Sequence, residues 1–203
     1  MNKKGEGDAE TDNMSFPVSA ILEWLVKTDG LSRELIKECK EYHIFAEEDL
    51  QFSCYYHIRK FLSKENVDDE DYWRVYNKKY IKTSSNYGKF PDLTLRRCNE
   101  SKILIELKQT VGRSVTDEDI FADIKKLTEI GGEKELIVLY TCNLPGNEGN
   151  IRYNSFLKDA QKLNNMDKLH LVRVAVVESF GGDEHKKNEY LERIEMLNKR
   201  RDW

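Results

Sequence analysis

The sequence lacks the long runs and glycine motifs that mark several large classes of protein. No apolar stretch approaches the length that a helix needs to cross a bilayer. The first residues, MNKKGEGDAETDNMS, have no apolar segment behind the lysines, so we expect no secretory signal and a cytoplasmic location. Neither G-x-x-x-x-G-K-[ST] nor G-x-G-x-x-G occurs. These absences argue against a membrane protein and against a phosphate-cradling glycine loop.

Cysteine and histidine patterns typical of metal sites are also missing, and basic residues do not outnumber acidic ones. The four cysteines form no C-x-x-C pair, and the four histidines show no spacing such as H-x-x-x-H. We therefore expect reduced, inert cysteines and no structural zinc site. The 33 basic and 37 acidic residues give a formal net charge of −4. Nucleic-acid binding would need a local basic patch, or metal ions that offset clustered carboxylates.

The pattern of apolar residues predicts one α/β or α+β domain. We expect a disordered tail over residues 1–14 and a single domain over 15–203. Helical spacing predicts helices over 15–28, 31–45, 46–65, 116–130, 152–165 and 183–201. Strand patterns cover 71–83, 92–96, 102–108, 134–141 and 169–179, the last two with the composition of buried strands. This order favours a mixed sheet flanked by helices.

Residues 90–110, FPDLTLRRCNESKILIELKQT, contain two strands whose register can be derived from alternation. Successive strand residues point to opposite faces, so a hairpin with one buried face brings the apolar residues together. The predicted pairs are Leu93 with Ile105 and Leu95 with Ile103. This register requires a loop of three or five residues around Asn99 and Glu100.

The same register places Asp92 opposite Glu106, with Lys108 on the same face of the sheet. Two carboxylates this close raise each other's pKa unless a cation neutralises them. Lys108 can do so, and so can Mg²⁺ or Mn²⁺, which prefer oxygen ligands. A metal here would polarise a phosphoryl oxygen and lower the pKa of a bound water, while Lys108 could orient that water.

Pro91-Asp92 followed by Glu106-Leu107-Lys108 resembles the signature of the PD-(D/E)XK nuclease superfamily. The resemblance implies a restriction-endonuclease-like fold: a helix, the hairpin that carries the acids, a crossing helix and a buried strand. It covers residues 46–141, and the core of such a domain would span about 46–178. It implies an Mg²⁺- or Mn²⁺-dependent endonuclease that hydrolyses DNA phosphodiester bonds. The Q-x-x-x-Y element of exonuclease-type members is absent.

Carried over by position, the resemblance makes Asp92 and Glu106 metal ligands and Lys108 the catalytic lysine. Leu107 would add its backbone carbonyl to the metal. Glu47 would be the helix acid and a further ligand, because it extends the buried stripe of helix 46–65. Glu48 is the near alternative, and an equally open alternative makes both residues ordinary first-turn acids.

Aromatic and basic residues alternate in YWRVYNKKYIK, which suits contact with nucleic acid. The candidate phosphate-binding residues are Lys78, Lys79, Lys82, Lys89, Arg96 and Arg97, and the pair Lys125 and Lys126 is a further possibility. The alternative is that all of them are solvated charges. The alternative function is a catalytically inactive nuclease-fold module that binds nucleic acid or a protein partner in a defence or repair complex. RNA as substrate and a homodimer stay open.

Overall fold

The computed structural model describes residues 17–41, 44, 46–65, 73–79, 81, 90–98, 100–109, 117–130, 133–142, 166–176 and 178–201. The predicted tail over 1–14 and the predicted helix over 152–165 lie outside these ranges. Within them, no helix combines the length and the apolar character needed to cross a membrane.

Within the described ranges, five strands form one mixed sheet, which confirms the predicted sheet type. The strands are β1 Trp73–Asn77, β2 Leu93–Arg97, β3 Glu100–Lys108, β4 Glu135–Cys142 and β5 Leu169–Ala175. Their order in the sheet is the order in the chain. The pairs β1–β2 and β2–β3 are antiparallel, whereas β3–β4 and β4–β5 are parallel. The strand predicted as buried at 169–179 is the edge strand β5, and it is only half-buried.

Five helices of the described residues flank the sheet. They are α1 Val18–Val26, α2 Leu31–Lys40, α3 Glu47–Glu65, α4 Asp117–Thr128 and α5 Glu184–Arg201, with 3-10 turns at Met166–Lys168 and Glu178–Phe180. The turn between α1 and α2 depends on Gly30. A Cβ on this residue would lie 1.9 Å from the Trp24 carbonyl oxygen, so no larger residue fits without a shift of the backbone.

The two faces of the sheet bury separate apolar cores. One core contains Ile103, Ile105 and Leu107 of β3 together with side chains of α1, α2 and α3. It also includes Tyr190 of α5, so helices outside 46–178 pack on the same sheet. On the other face, α4 packs on β3 and β4 around a smaller core that includes Leu104. Because side chains alternate along β3, Glu106 and Lys108 lie on the face of the sheet that α4 covers.

The predicted hairpin register is confirmed, but the predicted loop length is wrong. Leu93 pairs with Ile105 and Leu95 with Ile103. However, Arg97 pairs with Glu100, so only two positions connect the strands.

A β-bulge reconciles the register with the short turn. Arg96 pairs with Ser101 and Leu95 with Ile103, which leaves Lys102 as an extra residue in β3. A bulge shifts the pairing by one residue and restores the apolar register that a two-residue turn alone would break. Cys98 has a φ of 47°, the left-handed conformation that tight hairpin turns require.

Candidate functional site

Asp92 is fixed by hydrogen bonds at the start of β2. Its carbonyl oxygen accepts a bond of 3.0 Å from the backbone N–H of Lys78 and another of 3.0 Å from Gln51 Nε2 of α3. Its side-chain Oδ2 accepts a bond of 2.9 Å from the backbone N–H of Leu107. The carboxylate is thereby held against β3, next to the residue that precedes Leu107.

That residue, Glu106, is a buried acid with a strongly perturbed titration. Only 2% of its surface is exposed. Burial and the negative charge of Asp92 raise its pKa from the ordinary value of 4.5 to about 8. Lys126 of α4 opposes this effect, because its Nζ lies 2.6 Å from Glu106 Oε1. The two carboxylates therefore interact as the register predicted, but the cation beside Glu106 comes from the helix.

Lys108 bridges two other acids on the same side of the sheet. Its Nζ lies 3.1 Å from Asp123 Oδ2 of α4 and 3.8 Å from Glu47 Oε2 of α3. Burial by itself would lower the pKa of Lys108, but Asp123 and Glu47 outweigh it and raise the pKa above the ordinary value. The Lys108 ammonium group is therefore kept protonated, and its position is fixed by two carboxylates.

Glu47, the predicted helix acid, lies in the first turn of α3 and extends toward Lys108. Burial raises the pKa of Glu47, Lys108 lowers it, and the charges of Asp92 and Asp123 raise it further. The backbone of Gln109 also hydrogen-bonds the Glu47 carboxylate. Glu47 and the alternative Glu48 are both exposed, and the contact with Lys108 is made by Glu47. Glu47 thus belongs to the same electrostatic cluster as Asp92, although its closest charged contact is the lysine.

The acidic cluster offers oxygen donors of the kind that divalent cations bind. In the part of the chain that the structure describes, no group of three or more Asp, Glu, His or Cys side chains is arranged to hold a metal ion. Asp92 and Glu106 nevertheless have the right chemistry, because a pair of carboxylates at least partly buried is stabilised by a hard cation. The Leu107 carbonyl points to the same side of β3 as its N–H, toward Asp92. These three groups have the oxygen chemistry of ligands for a hard cation, while Glu47 is directed to Lys108.

Two residues of α4, Asp123 and Lys126, were not predicted as part of the site. Lys126 was considered only as a phosphate contact or a solvated charge, and its position against Glu106 corrects the solvated interpretation. A signal existed in the sequence. Both residues lie one position before a core residue, Asp123 before Ile124 and Lys126 before Leu127, so helical periodicity puts them beside the buried stripe.

The predicted phosphate-binding residues are partly described. Lys79 and Arg96 lie over the ring of Tyr76, at 4.1 Å and 5.8 Å from its centroid. Lys78 is exposed and Arg97 is partly buried at the end of β2. Lys82 and Lys89 lie outside the described residues. The role of the whole set stays a prediction.

Comparison with known proteins adds no relative. No family model matches the chain, and neither the curated proteins nor the solved structures contain a match. The resemblance to PD-(D/E)XK nucleases therefore depends on the residues of the hairpin and on the arrangement described above.

Proposed function

We propose that this protein is a metal-dependent nuclease of the PD-(D/E)XK type, with a restriction-endonuclease-like domain, that hydrolyses DNA phosphodiester bonds. One observation carries the proposal. Glu106 is almost fully buried and has a pKa of about 8, raised by burial and by Asp92, although a lysine is in contact with it. Carboxylates with strongly raised pKa values are concentrated at functional sites, where a ligand offsets the unfavourable charge.

The residues divide into three roles under this proposal. Asp92, Glu106 and the Leu107 carbonyl would hold Mg²⁺ or Mn²⁺, which when bound makes a water more acidic and neutralises phosphate charge. Lys108, kept protonated by its two acids, donates hydrogen bonds to the negative charge that develops on the phosphoryl oxygens. Glu47 contacts Lys108, so we assign it the positioning of this lysine.

Lys126 has a separate role as the resident counter-ion of Glu106. Its ammonium group lies 2.6 Å from the carboxylate, and its side chain is 30% exposed. The partial exposure gives the lysine a path toward solvent when another cation approaches Glu106. Lys126 would therefore stabilise the buried Glu106 side chain in the metal-free protein.

A cleavage assay tests the proposal. Purified protein is incubated with single-stranded, duplex and structured DNA and with RNA, in Mg²⁺ or Mn²⁺. We expect wild-type protein to cut DNA and the variants Asp92→Ala and Lys108→Ala to lose cleavage while keeping a native circular dichroism spectrum. Lys37→Ala removes an exposed lysine of α2, on the opposite face of the sheet, and is the matched control. Wild-type rates in both site variants would show that the site assignment is wrong.

A second candidate function is a non-catalytic binding module of the same fold. The observation that favours it is the internal pairing of the site, because Lys126 contacts Glu106 and Lys108 contacts Asp123. Calorimetric titration with Mg²⁺ or Mn²⁺, with and without DNA, separates the two functions. Binding of the cation supports the nuclease, whereas no binding in either condition supports the module.

A further inference from the structure

Three basic side chains surround one tyrosine on β1. The Nζ atom of Lys79 lies 4.1 Å from the ring centroid of Tyr76, and Cζ of Arg96 lies 5.8 Å from it. The Arg74 side chain hydrogen-bonds the tyrosine, and this bond and the three positive charges lower the pKa of Tyr76. We call Arg74, Tyr76, Lys79 and Arg96 the tyrosine cluster.

The register of the sheet places this cluster on the same face as the acids. Tyr76 pairs with Thr94, and Arg74 pairs with Arg96. Asp92 lies two residues before Thr94, so alternation puts it on the face of Tyr76. Diagonal neighbours of this kind are about 7–8 Å apart, so one extended nucleic-acid strand can contact the cluster and Asp92 at the same time.

The surroundings of the cluster are basic in an acidic protein. Residues 73–79 and β2 together contain five basic residues and no Asp or Glu, whereas the whole chain has a formal net charge of −4. Arg74 is exposed, and Lys79 and Arg96 are partly exposed, so their donors can reach a ligand. A positive region of this kind attracts a polyanion despite the overall charge.

We propose that the tyrosine cluster binds backbone phosphate of a nucleic-acid strand whose neighbouring phosphodiester lies at Asp92 and Glu106. The proposal rests on the proposed nuclease function. Arginine donates paired hydrogen bonds to phosphate oxygens, and lysine adds a point charge. The tyrosine ring holds Lys79 and Arg96 through cation–π attraction, which keeps the donors in place before the strand binds.

Binding is measured without cleavage, by fluorescence anisotropy of labelled 20-nucleotide single strands and duplexes in EDTA. The test variant is Arg74→Ala/Lys79→Ala of the full chain. We expect its affinity at about 0.1 M salt to fall by about tenfold or more, and the slope of log K against log salt to decrease by about one to two, because two phosphate contacts are lost. The charge-conserving variant Arg74→Lys/Lys79→Arg should recover most of the affinity.

The matched control is Arg33→Ala/Lys37→Ala. It removes the same charge from exposed positions of α2, which packs on the opposite face of the sheet. We expect the control to change affinity by less than about threefold, because global charge contributes little at moderate salt. An equal loss in both double variants would overturn the proposal. So would competition by polyglutamate as effective as competition by unlabelled DNA, since that would indicate an acidic protein partner.

The outcome separates this inference from the proposed function. Loss of binding in Arg74→Ala/Lys79→Ala with no cleavage by the wild type would support the phosphate site and contradict the nuclease. Cleavage that depends on Asp92, with unchanged affinity and salt slope in the double variant, would support the nuclease and overturn the phosphate site. No DNA binding by the wild type at low salt would also overturn it.

Discussion

Replacing Glu106 by glutamine should make the protein more stable at alkaline pH. The folded-state pKa of Glu106 is about 8, above the ordinary value of 4.5, because burial and Asp92 disfavour the charged form. Between these two values the folded protein keeps a proton that the unfolded chain releases. Stability of the wild type therefore falls as pH rises from 4.5 to 8 and changes little with this group outside that window.

The size of the effect follows from the difference between the two pKa values. Each pKa unit corresponds to about 1.4 kcal/mol, so the full contribution of Glu106 is about 5 kcal/mol as an upper limit. Structural relaxation and the contact with Lys126 make the measured difference in the free energy of unfolding smaller than this limit. We expect Glu106→Gln to raise the free energy of unfolding by about 2 kcal/mol at pH 9. Near pH 4 both proteins carry a neutral side chain, so their stabilities should agree closely.

Urea unfolding at pH 5, 7 and 9, followed by circular dichroism, measures this difference. The matched control is Glu48→Gln, which changes an exposed acid in the first turn of α3 and should leave the pH dependence intact. A stability difference between Glu106→Gln and wild type that does not grow from pH 5 to pH 9 would refute the reasoning. It would mean that Glu106 titrates near its ordinary pKa.

Three further predictions address the structure around this acid. Asp123→Asn should lower the pKa of Lys108, because Asp123 raises it in the wild type. NMR of the lysine side chain measures this pKa, and the alkaline limb of the pH–rate profile of cleavage should move to lower pH with it. An unchanged lysine pKa would contradict the ion pair. Gln51→Ala removes one of the two donors to the Asp92 carbonyl, together with the bond to Asn77 Oδ1, and should destabilise the protein by about 1–3 kcal/mol. An unchanged midpoint of urea unfolding would contradict this. Deleting Lys102 removes the extra residue, so Arg96–Ser101 and Leu95–Ile103 become consecutive pairs and Glu106 keeps its face; we expect a loss of less than about 1 kcal/mol in urea. A loss of more than about 3 kcal/mol would contradict the bulge.

The hairpin shows how far alternation predicts structure. Leu93, Leu95, Ile103 and Ile105 alternate with polar residues, and the burial of one face left only one register. The loop length could not be derived in the same way. An odd loop and a two-residue turn followed by a bulge give the same pairing of the apolar residues, so the sequence pattern does not distinguish them, and Lys102 carries no local signal for a bulge.

The ion pairs of the site show what local patterns leave out. Periodicity places Asp123 and Lys126 beside the buried stripe of α4, but their partners depend on where α4 crosses β3. That position is set by packing of the whole helix on the sheet, which no short pattern encodes. For the same reason the sequence assigned Lys108 as the cation nearest to the two carboxylates, whereas Lys126 contacts Glu106 and Lys108 contacts Asp123.

The central claim is that the carboxylate pair on β2 and β3 supports metal-dependent cleavage of DNA. The most direct measurement is the rate of DNA cleavage as a function of Mg²⁺ concentration for wild type and Glu106→Gln at pH 8. This variant is expected to be at least as stable as wild type, so a loss of rate cannot result from unfolding. We predict Mg²⁺-dependent cleavage by the wild type and a loss of at least about a hundredfold in the variant. Equal rates for the two proteins, or no cleavage by the wild type on any DNA substrate, would contradict the claim.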